Sequence, residues 1–239
     1  MKRKIFDSGM NSARKNMAID AHLLHCLEPS SSLLHFYQWK HECPVTYGYF
    51  VNPQDVFTTE ALSCLDHAKR PTGGGVVFHN GDFAFSLLVS FSHPLFSQRV
   101  LDNYQTVNTL VVRSLERAFG ISGELFVEDK EEEKNNINFC MAKISRYDVL
   151  FQGRKIGGAA QRTTTKGFLH QGSVFLSGRG KSFYQPFLKE EVLDNILDKT
   201  QKNSFYLLGD NNEQSSLLED ARRTLQESFV YEYCHWSSF

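Results

Sequence analysis

The sequence predicts an α+β fold, a mixed sheet carrying helices, on three observations. Tyr104, Val107, Leu110, Val111, Leu115 and Ala118 recur at the helical period, and Gly120 follows as a stop. Phe83, Phe85, Leu87, Val89 and Phe91 alternate as the inward residues of a strand do. The C-terminal third is helical again, with Leu218, Ala221, Leu225 and Phe229 on one face.

In chain order, Ser12 is a suitable N-cap for a helix running to about Leu27, with Ala13, Met17, Ala18, Ala21 and Leu24 on its core face. Leu33–Trp39 and Val45–Val51 are rich in aromatic and β-branched residues and read as strands about the turn His41–Pro44. Gly75–Phe78 and the alternating segment are expected to form a hairpin across Asn80-Gly81. The main helix covers Asn103–Phe119. Strands follow near Tyr147–Gln152 and Gly172–Leu176, then helices over Glu190–Leu197 and Glu213–Phe229. Glu128–Asn136 is a charged run without an apolar face and reads as a solvated loop.

The 239 residues, 41% hydrophobic and 13% aromatic, suffice for one large core, so residues 1–239 are read as a single domain. A formal net charge of -1 offers no basic excess for nucleic acid. The N-terminus turns polar before a signal-like apolar region, and no stretch approaches the roughly 20 apolar residues that span a bilayer. A cytoplasmic protein without membrane contact is expected. Cys26, Cys43, Cys64, Cys140 and Cys234 are scattered and lack C-x-x-C spacing, which suggests neither disulfides nor a metal site; most are expected to be buried thiols.

Chemistry concentrates in two segments, Arg70-Pro-Thr-Gly-Gly-Gly-Val-Val-Phe-His79 and Gly153-Arg-Lys-Ile-Gly-Gly-Ala-Ala-Gln-Arg162. In the first, Gly73, Gly74 and Gly75 allow backbone amides to approach a carboxylate, phosphate or acyl chain, although taken alone they are better explained by a tight turn needing positive φ. In the second, Lys155 precedes Gly157, Gly158 and Ala159, so a ligand can lie along bare backbone beside an ammonium group. A thiolate at Cys140 can attack an acyl thioester, the more readily if a cation such as Lys155 lowers its pKa. His79 and His170 flank glycine-containing elements and are candidates for substrate contact or for structural hydrogen bonding.

Phe6-Asp-Ser-Gly9, Asn16-Met-Ala-Ile-Asp20, Phe36-Tyr-Gln-Trp39, Tyr47-Gly-Tyr-Phe50, Arg70-Pro-Thr-Gly-Gly74, His79, Ser86 and Gly153–Ser173 occur in an order that resembles the lipoate-protein ligase A family. The resemblance is closest to its octanoyltransferase branch. It implies the catalytic fold shared by biotin- and lipoate-protein ligases and attachment of octanoyl or lipoyl groups to a lysine of lipoyl domains of 2-oxoacid dehydrogenases or of the glycine-cleavage H protein. Arg70, Thr72, the glycines, His79, Ala159 and His170 become substrate-binding positions, and Cys140 and Lys155 catalytic ones. Cys140, Ser145, Tyr147 and Lys155 stand at the mutual offsets of the cysteine-dependent octanoyltransferases. In that branch octanoate passes from acyl carrier protein to the cysteine and then to the target lysine, with no cofactor. The alternative is an ATP- and Mg2+-dependent lipoate ligase acting through an acyl-adenylate. Tyr147-Asp148, where ligases carry Asn-Asp, speaks against that alternative. Met141, Ile144, Asn80 and the third glycine depart from the octanoyltransferase pattern. Biotin ligation and a non-catalytic module holding lipoyl domains or acyl carrier protein are further rivals.

Overall fold

The computed structural model describes residues 2–128, 143–210 and 214–236. The chain runs β1 (Lys2–Asn11), α1 (Ala13–His25), β2 (Ser31–Trp39), β3 (Val45–Tyr47), α2 (Thr59–Cys64), β4 (His67–Lys69), β5 (Val76–Phe78), β6 (Asp82–Ser90) and α3 (Val100–Phe119). It continues through β7 (Glu124–Leu125), β8 (Val149–Phe151), β9 (Arg154–Thr164), β10 (Gly167–Phe175), α4 (Lys181–Tyr184), α5 (Glu190–Asn203) and α6 (Ser215–Cys234). A seven-stranded mixed sheet has the order β1-β2-β6-β10-β9-β8-β7, and a three-stranded sheet the order β4-β3-β5. The expected α+β fold is what forms.

The apolar patterns account for the layers. Inward residues of β2, β6 and β10 meet the faces of α3 and α6 in the main core, where Phe85 packs on Phe229 with ring centroids 4.7 Å apart. Gly120, at φ 66°, ends α3 and returns its N–H to Glu116. A second core gathers Val45, Phe57, Val76, Phe78 and Tyr184 between the small sheet and the helices beside it. Among the described residues no helix is long and apolar enough to cross a membrane.

Several expectations change. β1 was not foreseen as a strand because nearly all its residues are exposed; it pairs in parallel with β2 at the sheet edge. The hairpin across Asn80-Gly81 does not form. β5 joins β3 in the small sheet while β6 lies between β2 and β10, and the Gly81 carbonyl accepts from Leu176 and Ser177 instead. The strand from Val45 stops at Tyr47, and the strand near Tyr147 starts only at Val149, since Tyr147 sits at φ 67° in a turn. Ser12 caps α1 as expected, but Ala18 and Ala21 are exposed and Asn16 and Asp20 are buried in their place. Burial there is stabilised by hydrogen bonds: Asn16 donates to the Gln38 carbonyl, and Asp20 accepts from Ser86 and Gln171 and pairs with His35. Cys26, Cys64 and Cys234 are exposed and Cys43 is half-buried, against the expectation of buried thiols. Cys140 and the acidic run from residue 129 onward lie outside the described residues.

Candidate active site

A narrow cavity of about 40 Å³ lies between the two sheets. Its floor is Lys155, Gly158, Ala159 and Ala160 of β9 with Gln171 and Ser173 of β10; Met17, Tyr37 and Trp39 form one wall, and Thr46, Arg70 and His79 another.

Lys155 reaches this cavity through an irregularity in the β8–β9 ladder. The two-residue turn Gln152-Gly153, with φ 53° and 71°, returns the chain, and the register then shifts, Leu150 facing Lys155 but Val149 facing Gly157. A bulge turns its neighbouring side chains relative to the regular alternation. Ile156 consequently enters the main core, while Lys155 shares the cavity face with Gly158. The lysine folds back over Gly158, where an added Cβ would lie 2.5 Å from Lys155 Cε.

The ammonium group is held from two directions. Lys155 Nζ lies 2.7 Å from Asp148 Oδ2, both side chains being nearly fully buried, and donates to the Lys143 carbonyl at 3.0 Å. Asp148 also accepts from the Ser145 amide. Burial raises the pKa of the Asp148 carboxyl, with Lys155 pulling the other way. Lys143 is the first described residue after the segment that contains Cys140.

The glycine loop is organised around Arg70. Its guanidinium donates to the carbonyls of Gly73 and Gly75 and to Thr46 Oγ1. Gly74 takes φ 84°, and the Gly48 and Tyr49 amides donate to the Gly75 and Thr72 carbonyls. The glycines therefore serve a tight turn that wraps a buried cation, and they adjoin the cavity without lining it. Thr72 donates to Gln171 Oε1 at 2.6 Å; Gln171 in turn donates to Asp20, so its amide is fixed against the cavity.

His79 joins a second chain of hydrogen bonds. Its Nδ1 lies 2.6 Å from Asp82 Oδ2, which also accepts from Ser173, and its Nε2 lies 2.7 Å from Thr46 Oγ1. Burial works against the Asp82 carboxylate, yet His79, Ser173 and Arg222 together hold its pKa below the usual range. Asn80 thus leaves His79 with a carboxylate partner, two residues further on.

Of the sequence candidates, Arg70, His79, Lys155, Gly158 and Ala159 line the cavity, and Thr72 reaches it through Gln171. Gly157 and His170 do not. Gly157 faces Val149 and Val174 on the opposite side of the sheet. His170 is fully buried there beside Phe85 and Tyr104, and burial pushes its imidazole down to about 3. It acts as a core residue. Folding therefore keeps His170 neutral while the unfolded chain takes up a proton below about pH 6.5. The stabilisation is complete above that pH and is lost on acidification toward pH 3. Urea unfolding at pH 7 and pH 5 should show His170→Phe losing less stability between the two than the parent; equal losses would contradict this. Asp20, Thr46, Asp82, Asp148 and Gln171 were not foreseen as site residues. The available signal was a polar side chain on an otherwise apolar face, as at Asp20 and Gln171.

Residues 12–213 match the family described as the lipoyl protein ligase A/B catalytic domain. The chain belongs to that family. It is similar to octanoyltransferase LipM of Bacillus subtilis, 27% identical over 236 residues, covering 95% of this chain and 84% of the relative. LipM of Carboxydothermus hydrogenoformans is 31% identical over 170 residues, covering 69% and 61%. Among solved structures, lipoate-protein ligase A bound with ATP superposes with a TM-score of 0.71 at 20% identity, covering 98% of this chain and 86% of that one. The bi-partite lipoate protein ligase of Thermoplasma acidophilum gives 0.70 at 21%, covering 100% and 86%. At these identities the structural likeness speaks to the fold, which is the lipoate-ligase catalytic fold.

Proposed function

We propose that the protein, as a single catalytic domain, moves an octanoyl group from acyl carrier protein to the acceptor lysine of a lipoyl domain or the glycine-cleavage H protein through a thioester on Cys140. The observation that carries this reading is the buried Lys155 ammonium, anchored by Asp148 and bonded to the backbone at Lys143, beside the segment that bears the cysteine. Similarity to octanoyltransferases along most of the chain supports it.

Cys140 Sγ, as thiolate, attacks the carbonyl carbon of the carrier thioester, and the carrier thiol leaves with a proton. The neutral amine of the acceptor lysine then attacks the enzyme thioester; an amide forms and the cysteine thiol is released. Lys155 donates to the acyl oxygen as negative charge develops there, and a preorganised donor in a dry site acts most strongly in this role. Arg70 fixes the glycine loop, and Thr72 and Gln171 fix the cavity wall. The flexible Met17 in the cavity wall is suited to adapt to an eight-carbon chain.

The ligase alternative requires ATP and Mg2+. Lys155 is the side chain that would meet a phosphate. Among the described residues no three His, Cys, Asp or Glu side chains gather around a metal position, and Asp148 is committed to Lys155. Incubation with octanoyl-acyl carrier protein and a lipoyl domain should modify the acceptor without ATP. Modification only with free lipoate and ATP, accompanied by pyrophosphate release, would replace the transferase with the ligase.

A further inference from the structure

The floor of the Lys155 cavity leaves the interior along β9. Gly158 and Ala160 line the cavity, and Arg162, the next residue on the same face of the strand, is exposed. Its guanidinium reaches across to the Pro71 carbonyl of the glycine loop at 3.3 Å and lies 6.0 Å from the centre of the Tyr49 ring. Lys69, exposed at the end of β4 and paired with Tyr47 of β3, brings its ammonium group within 5.3 Å of the centre of the same ring. Tyr49 is thus flanked by two cations just outside the cavity.

Phe50 follows, its ring centroid 5.3 Å from that of Tyr49, and it is 91% exposed. Among the described residues no other large apolar side chain exceeds 62%. Burial raises the pKa of the Tyr47 hydroxyl while Arg14 pulls the other way, which sets a third exposed cation beside this strand. Among the described residues Lys69, Arg162 and Arg14 form no ion pair with a carboxylate, whereas Lys4, Arg117 and Lys181 on other faces do. The Asp66 carboxylate, next to the start of α1, accepts from the Ala13 amide. An aromatic anchor ringed by unneutralised cations is complementary to a protein surface that carries carboxylates around an apolar spot.

We propose that Tyr49, Phe50, Lys69 and Arg162 form the docking face for an acidic acyl carrier protein, the cations meeting its carboxylates and Phe50 its apolar spot. The identity of this partner rests on the acyl-transfer reading. Charge favours the donor over the acceptor. The carrier offers an uncharged thioester at the cavity, whereas the acceptor brings a lysine that the same cations repel.

Fluorescence anisotropy of labelled holo-acyl carrier protein, which has no acyl group to transfer, reads docking apart from chemistry. Saturable binding is expected at low ionic strength, weakened by added salt and reduced about tenfold in Lys69→Glu and in Phe50→Ser. Circular dichroism establishes that both variants fold, and a lipoyl domain should bind the parent and the variants alike. Absence of saturable carrier binding, unchanged carrier binding in both folded variants, or a loss of lipoyl-domain binding as large as the carrier's would overturn the proposal. Carrier binding that follows these expectations without an octanoyl adduct on Cys140 would overturn the thioester mechanism and leave the docking face in place.

Discussion

Lys155→Met is expected to lower octanoyl transfer by about 10²–10³-fold, the usual loss when one preorganised donor to a developing oxyanion is removed. The change also leaves Asp148 buried without its cation. Breaking such a pair costs about 3–5 kcal/mol, so the single variant confounds chemistry with folding. Its carboxyl pKa is already raised by burial, and protonation then relieves part of this cost. The double variant Lys155→Met with Asp148→Asn separates the two effects. A neutral amide of the same shape keeps the Ser145 contact, so thermal stability should recover while transfer stays low. Recovery of activity together with stability would show that Lys155 only supports the fold.

Gly48→Ala should damage both stability and activity. Its Cβ would lie 1.9 Å from the Gly74 carbonyl oxygen and 2.8 Å from the Gly73 and Gly74 carbonyl carbons, all backbone atoms that no rotamer change can move. The loop must shift away from Arg70. A loss of about 3 kcal/mol is expected at the upper end of ordinary overpacking, which lowers Tm by roughly 6–12 °C in a domain of this size. Gly73→Ala is the control, because its Cβ would meet nothing within 4 Å. Similar melting temperatures for the two variants would contradict the tight approach of Gly48 to the loop.

The elements legible in the sequence were those whose side-chain period matches their burial. The stripe of Val107, Leu110, Val111 and Leu115 marked α3, and the alternation from Phe83 marked β6. β1 carried no such signal, because an exposed edge strand is held by its backbone bonds to β2. The false hairpin had a related origin: Val76–Phe78 and β6 are apolar neighbours in sequence, but each is required in a different core. In the site, residue types were legible and their directions were not. The bulge after Lys155 places it with Gly158 and sends Gly157 to the other face, as ordinary strand alternation sends His170 away from Gln171. Asp82 and Asp148 take their roles from pairing across distant elements or a local turn, which no motif spacing specified.

Intact-protein mass spectrometry after incubation with octanoyl-acyl carrier protein tests the central claim most directly. An octanoyl increment on the protein, released by hydroxylamine and absent from Cys140→Ser, is the predicted result. The same adduct on Cys140→Ser, or acceptor octanoylation by that variant at the parent rate, would contradict it.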